Sequence, residues 1–426
     1  MMGVLDEATT INGAAGITFI DKMKRNTSAG NPYKKSKKSF IIPIAGTEDA
    51  PDSITFDQEV MERSHKMEKM YKAGKRCMPN FCAHLKDEAV SFKKAKMGKT
   101  RVFTGAPVDW SIVVRKYLLN MVRVIQHNKY IFESAPGTIC QSIEWQQMYK
   151  YLTQHGKDRI VAGDYKSFDK KMSPKIILLA FEILKELAKE SGKYTSEELL
   201  VIDGIGIDTA FPFVEFNGDY VQFFGSNPSG HPLTVIINGL VNALYMRYCY
   251  LILNPEHESK SFRDNVSLMT YGDDNIMGVS NKAPWFNHTN IAEALAREEI
   301  VYTMADKEAE SIPFINIKDA SFLKRTWRFD NDVGAYLCPL DHDSIEKSLT
   351  VWTRSKTIVW QEQILSVIAS ACREYFFYGK EIYEEKALMF RQLIANKGLE
   401  EWSWEGLIPS HDSLKEEFWS HSKQFL

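Results

Sequence analysis

The apolar positions change period several times along the chain, and each change predicts an element. Residues 159–164, Arg-Ile-Val-Ala-Gly-Asp, read as a short buried strand ending in a carboxylate. A helix then opens with Ser173 as N-cap and Pro174 at its first position, and Gly192 stands just past its end. Within it Ile176, Leu179, Ile183 and Leu187 recur at spacings of three and four, which predicts one apolar face. Residues 234–253 are apolar over about the length of a membrane span. Asn238, Asn242 and Arg247 lie inside that stretch and a His-Pro pair precedes it, so a helix buried within the protein is expected and no transmembrane segment. Residues 266–280 are two apolar runs around Gly-Asp-Asp, a hairpin signal with an unusually acidic turn. Asn290 and Glu293 form a capping-box pattern that opens a helix through about Glu299, followed by β-prone residues 300–304. Beyond Thr350 the pattern is helical, with Trp352, Trp360, Ile364, Ile368 and Tyr375 as core candidates.

Composition narrows the class without naming a function. With 44% hydrophobic and 25% charged residues the chain is globular, so collagen-like, disordered and mucin-like readings are excluded. Its 426 residues suggest two or three subdomains, interwoven because no repeat or low-complexity linker separates them. A net charge of −2 leaves nucleic-acid contact to local basic stretches. Two exist: residues 21–39, with seven Lys/Arg against one acid, and Lys86 to Arg101, with Lys93, Lys94, Lys96 and Lys99 between. Six cysteines scattered without dense spacing argue for reduced thiols in a cytosolic setting. Cys77, Cys82 and His84 lack a fourth ligand at any usual zinc spacing. No basic-then-apolar leader occupies the first 20 residues.

The chemistry concentrates in acids. Asp273 and Asp274 are neighbours at a hairpin tip, where two carboxylates repel unless a cation neutralises them. Asp164 ends another buried strand; if the strands pair, Asp164 and Asp273 meet and make a hard oxygen site suited to Mg²⁺ or Mn²⁺. Thr234 and Asn238 are one helical turn apart and share a face, small polar groups of the kind that hydrogen-bond a sugar hydroxyl. Packing within the helix explains that pair equally well at this point.

Asp164-x4-Asp169, Ser229-Gly230-x3-Thr234-x3-Asn238 and Tyr271-Gly272-Asp273-Asp274 stand in that order and resemble motifs A, B and C of viral RNA-dependent RNA polymerases. The likeness continues. Thr27-Ser28-Ala29-Gly30-Asn31-Pro32-Tyr33 looks like motif G, and Lys86-Asp87-Glu88 through Lys94 to Arg101 like motif F. Ala305-Asp306-Lys307 resembles motif D and Phe322-Leu323-Lys324-Arg325 motif E. The set is similar to the polymerases of picornavirus-like (dicistrovirus- and marnavirus-like) positive-strand RNA viruses and covers roughly residues 20–330.

The resemblance implies an α+β right hand of fingers, palm and thumb with an antiparallel palm sheet flanked by helices. Its divisions fall at 1–121 (fingers), 122–207 (palm, first part), 208–227 (fingers insertion), 228–330 (palm, second part) and 331–426 (thumb). It implies template-directed RNA synthesis from NTPs by two-metal nucleotidyl transfer, with Mg²⁺ as cofactor and Mn²⁺ able to substitute. Asp164 and Asp273 would be the principal metal ligands and Asp274 a supporting one. Asp169 and Asn238 would sense the ribose, with Ser229, Gly230 and Thr234 arranging that contact. Lys86, Lys94 and Arg101 would hold the triphosphate, and Lys307 would be general acid for the leaving pyrophosphate. Lys324 and Arg325 would contact primer phosphates; Thr27, Ser28, Gly30, Lys34 and Lys35 would guide the template. RNA template and primer, a small viral protein primer and other replication proteins are the implied partners. The implied location is the host-cell cytoplasm at membrane-associated replication complexes. Asn31 and Met304 depart from residues common in motifs G and D, and motif G begins within 35 residues of Met1, as expected of a fragment of a longer polyprotein.

Three other classes fit less of the chain. A reverse transcriptase also uses a YxDD turn, but Asp169 and the Ser-Gly-x3-Thr-x3-Asn element favour ribonucleotides. Gly98-Lys99-Thr100 hints at a phosphate loop, yet Lys93 stands where the loop needs glycine. An RNA-binding or capsid protein explains the basic stretches and leaves the acids unexplained.

Overall fold

The strand predicted to end in Asp164 lies in the middle of the molecule. The computed structural model describes residues 3–47, 51–306 and 309–425. Its strands in chain order are β1 Ile41–Ile44, β2 Ser53–Phe56, β3 Asn80–Leu85, β4 Val102–Gly105, β5 Ile160–Tyr165, β6 Phe213–Phe216, β7 Asp219–Gln222, β8 Val266–Tyr271, β9 Asp274–Val279, β10 Tyr302–Met304, β11 Arg328–Asp330 and β12 Ala335–Leu337.

The central sheet runs β10-β5-β9-β8 with every neighbour antiparallel. Successive residues of a strand face opposite sides, and here both sides are covered. Val161, Leu268 and Met277 join a core built on the helices Val108–His127, Pro174–Glu190, Ser196–Ala210 and Thr234–Leu253. Ile160, Ala162, Met269 and Ile276 join a second core, with Trp145, Trp327 and the helices Trp360–Phe376, Lys380–Asn396 and His411–Ser422. Two buried faces explain why these strands read as unbroken apolar runs.

A second sheet, β4-β3-β6-β7, stands beside the first. Strands β6 and β7 fall inside residues 208–227 and return to join β3, which pairs with β6 in parallel. The α+β class and the antiparallel central sheet are thus as expected. The helix Thr234–Leu253 has the length and apolarity of a span, but 61% of its 18-residue apolar window is buried, packed in the first core.

Three local expectations need correction. Helix Pro174–Glu190 begins where expected but buries Ile177, Ala180, Phe181, Leu184 and Ala188, while Leu179 is 51% exposed. The run 176–181 is apolar throughout, so spacings of three and four fit two adjacent stripes, and packing selects one. The helix expected to open at Asn290 spans His288–Ala296, and its cap is Asn287, whose side chain accepts from Asn290 N–H. Asn290 instead donates to the Trp285 carbonyl. Trp352 and Trp360 are 45% and 42% exposed, whereas Ile368 and Tyr375 are buried and Ile364 partly so.

Candidate active site

The β5–β9 ladder pairs Gly163 with Asn275, and continuing that register by one residue sets Asp164 across from Asp274. Directly opposed residues sit about 4.5–5.5 Å apart at Cα and point to one face. The β8–β9 hairpin closes through Gly272 and Asp273, with Tyr271 paired to Asp274 and Gly272 at φ 65°. Glycine at the first central position of a two-residue turn is what a type II′ hairpin takes. Asp164 is buried, Asp274 half-buried and Asp273 exposed, and the register puts all three at the same end of the sheet.

What holds that turn is a residue the sequence reading placed only as a polar interruption. Asn242 is fully buried and its Nδ2 donates to the carbonyls of Gly272 (3.1 Å), Asp273 (2.9 Å) and Asp274 (3.4 Å). Its Oδ1 accepts from Tyr165 Oη (3.1 Å) and Asn275 Nδ2 (3.0 Å), and Asn275 Oδ1 accepts from Tyr302 Oη (2.7 Å). The acidic turn is therefore pinned from behind by a satisfied network in low dielectric. Tyr302 reaches Asn275 across Gly163, where a Cβ would meet its hydroxyl at 1.9 Å. The only local signal of Asn242 is an amide in an apolar helix, one turn after Asn238.

Ser229 and Gly230 pack against β4. Ser229 Oγ accepts from Thr104 N–H (3.2 Å) and Ser229 N–H donates to Thr104 Oγ1 (3.1 Å). A Cβ on Gly230 would meet the Thr104 carbonyl at 2.4 Å, so only glycine permits this approach. Thr234 Oγ1 donates within the loop, to the carbonyls of Pro228 (2.9 Å) or His231 (3.0 Å), and accepts from His231 N–H. It shapes the loop from inside. Asn238 is half-buried, its Oδ1 held at 2.6 Å by Asn227 Nδ2. Asp169, Ser229, Asn227 and Thr104 line one cavity of about 360 Å³, walled also by Phe216 and Phe223.

The basic residues divide into two groups. Lys86 and Arg101 are exposed and gathered by Glu88, at 3.6 and 2.8 Å. Lys94 is exposed on the short helix Phe92–Lys96 between β3 and β4. Thr27 and Ser28 line a cavity of about 850 Å³ with Lys24, Lys37, Arg115 and His231. Burial, and to a lesser degree the nearby Arg115 and Lys24, holds the Lys37 ammonium below the usual lysine range. Gly30 is buried against Ala106, Lys34 pairs with Glu215 at 3.3 Å, and Lys35 is exposed.

Arg325 does not sit where a primer contact requires. It is 8% exposed, donates to Glu374 through both terminal nitrogens (2.7 and 2.8 Å) and to the Cys338 carbonyl. Its neighbour Lys324 is exposed at the tip of a tight turn whose central residues, Leu323 and Lys324, have φ of 54° and 60°. Lys307 lies outside the described residues. The Cys77–Cys82–His84 group holds no metal cage: Cys77 Sγ donates to the Met67 carbonyl and Cys82 Sγ to Glu215. Burial pushes these thiols up to about 12 and about 11, keeping them protonated.

Among the described residues no three His, Cys, Asp or Glu side chains form a ready-made metal cage. A small hard divalent cation does not require one, since one or two carboxylates complete its shell with water and substrate phosphates. The hard-oxygen set at the β5–β9 end fits such an ion.

An acidic hairpin tip beside a buried strand-end carboxylate, in a chain that also carries a polar loop and a basic cavity, is a donor set suited to phosphoryl chemistry. The profile "Viral RNA-dependent RNA polymerase" matches residues 4–395, and the chain belongs to that family. Divalent-metal dependence is general there. The chain is 30% identical over 348 residues to the replicase polyprotein of Cricket paralysis virus, covering 78% of this chain and 19% of that one. It is 29% identical over 396 residues to the replicase polyprotein of Drosophila C virus, covering 90% and 22%. It thus spans about a fifth of these relatives. Among solved structures it resembles the Sicinivirus 3Dpol RNA-dependent RNA polymerase, with TM-score 0.79 at 19% identity, over 98% of this chain and 81% of that one. The fold is the right-hand polymerase fold.

Proposed function

We propose that this chain is a template-directed RNA polymerase that joins NTPs to a primer 3′-end and replicates a positive-strand RNA virus genome. The observation that carries the reading is the β5–β9 register, which sets Asp164 across from Asp274 with Asp273 on the adjoining turn. Asp164 and Asp273 would hold Mg²⁺, or Mn²⁺ in its place, with Asp274 in support; the bound cation would supply acidification of the attacking hydroxyl and offset charge on the leaving pyrophosphate.

The chain's own groups do the rest. Asp169 and Asn238 face the ribose, while Ser229, Gly230 and Thr234 fix the loop beside it. Lys86, Lys94 and Arg101 steady the triphosphate by opposing its charge. Lys307 donates a proton to pyrophosphate. Thr27, Ser28, Gly30, Lys34 and Lys35 guide the template, and Lys324 contacts the primer; Arg325 acts as a strut beneath it. Residues 1–121 and 208–227 serve as fingers, 122–207 and 228–330 as palm, and 331–426 as thumb. A small protein primer and other replication proteins are the expected partners, at cytoplasmic, membrane-associated replication complexes. The polyprotein origin of the relatives supports other replication proteins as partners.

The test is nucleotide incorporation on a primed RNA template, with and without divalent cation. Wild type should extend with NTPs only when metal is present, and Asp273→Asn should fall by at least about a thousandfold while keeping its melting temperature. A folded wild-type chain that extends nothing would overturn the reading, and use of deoxynucleotides alone would move it to reverse transcription.

A further inference from the structure

The loop ahead of helix Thr234–Leu253 contains a hydrogen-bond chain whose direction is forced. Its first donor is a backbone N–H, which has no choice of role: Leu233 N–H donates to His231 Nδ1 (3.3 Å). That nitrogen must carry a lone pair, so in the neutral ring the proton sits on Nε2. Nε2 lies 2.8 Å from Asn227 Oδ1, which accepts it. The other end of the same amide, Asn227 Nδ2, must donate, and it meets Asn238 at 2.6 Å. The atom of Asn238 it meets is therefore the oxygen. Amide orientation is ordinarily a matter of assignment, but here each link follows from the one before.

The ring stays neutral because it is walled in. His231 is 8% exposed and stacks edge-on against Trp110, and burial lowers its pKa to about 3. A charged imidazolium, donating from both nitrogens, would clash with Leu233 N–H and break the chain.

We infer that Asn227 and His231 are positioning residues that hold the Asn238 amide oxygen toward Asn227, so that Asn238 presents its NH₂ end, a donor, to the ribose. This inference rests on the polymerase reading of the site. Asn227 itself lines the 360 Å³ cavity together with Asp169 and Ser229. With its oxygen turned to Asn227, Asn238 has its N–H groups left to offer a sugar hydroxyl oxygen. Asp169, a carboxylate, offers only acceptors. A donor from one side and an acceptor from the other match the two roles of a 2′-hydroxyl, and a 2′-hydrogen satisfies neither. If the amide were free to turn, half of that match would be lost.

The measurement is kcat/KM for an NTP divided by that for the matching 2′-deoxy-NTP, with the full chain on a primed RNA template. Asn227→Ala should lower the ratio about tenfold, mainly through the KM for NTP. Asn227→Asp should do the same, since it still accepts from His231 but turns an oxygen toward Asn238. In an Asn238→Ala background the Asn227 substitutions should leave the ratio unchanged. A ratio that ignores Asn227 with Asn238 present, or drops equally without it, overturns the inference. Should Asn227→Ala fail to melt cooperatively, His231→Gln and His231→Leu decide. Gln can accept from Leu233 and donate to Asn227 and should keep the ratio, whereas Leu should lower it; equal ratios overturn the assignment. A folded wild type without incorporation would fail the polymerase reading itself, and this inference with it. That result differs visibly from an active enzyme whose preference ignores Asn227.

Discussion

Gly163 shows how much a single Cβ decides. It precedes Asp164, and the Tyr302 hydroxyl occupies the space a side chain would need. Gly163→Ala must displace Tyr302 from Asn275 and should destabilise the fold by about 1–3 kcal/mol, read as a lower melting temperature with reduced incorporation. Asn242 acts on the same turn from the helix side. Asn242→Ala strips donors from three carbonyls and an acceptor from Tyr165 and Asn275, each loss costing about 1–3 kcal/mol where the group stays buried. The expected result is a slower enzyme with KM for NTP little changed, because the acids move and the nucleotide cavity does not; an unchanged kcat in a folded variant would contradict the clamp. Lys324 runs the other way. Its left-handed backbone is strained by about 1–2 kcal/mol, so Lys324→Gly should raise the melting temperature while weakening duplex RNA binding.

Between elements, buried charges act as struts. Arg325 joins the turn before β11 to Glu374 on helix Trp360–Phe376. Arg325→Met leaves Glu374 without its cation and should cost about 3–5 kcal/mol, and adding Glu374→Leu should recover most of it. Glu68 does similar work between the helices Gln58–Lys72 and Val108–His127. Burial acts to raise its pKa, but bonds from Lys116, Tyr117 and Lys72 outweigh burial and hold it at about 2. The unfolded value is about 4.3, so the folded state binds fewer protons in between. The stability is therefore present above about pH 4.3 and lost as pH falls toward 2. Glu68→Gln should flatten that part of the acid-denaturation curve; an unchanged slope would show the three bonds do not control it.

At the scale of the molecule, charge is arranged by location. The net charge is −2, yet Lys24, Lys37 and Arg115 share one cavity, and Lys86 and Arg101 lie together at the β3–β4 end of the second sheet. Duplex RNA affinity should fall linearly on a log–log plot against salt, with a slope of about −0.7 to −0.9 per phosphate neutralised. A flat response would argue against both basic regions as RNA contacts.

Much of this architecture was readable in the chain. The acidic hairpin, the strand ending in Asp164 and the buried helix with polar interruptions carry local signatures, because turn chemistry and burial act on neighbouring residues. The right-hand fold was legible only through the resemblance of the ordered motifs to a known family. Packing decided the remainder. Which stripe of helix Pro174–Glu190 faces inward, why Trp352 and Trp360 stay exposed, and why Arg325 bonds Glu374 all depend on partners distant in sequence. The hydrogen-bond direction from Leu233 to Asn238 was equally hidden, since periodicity reports which face is buried but not which end of an amide looks outward.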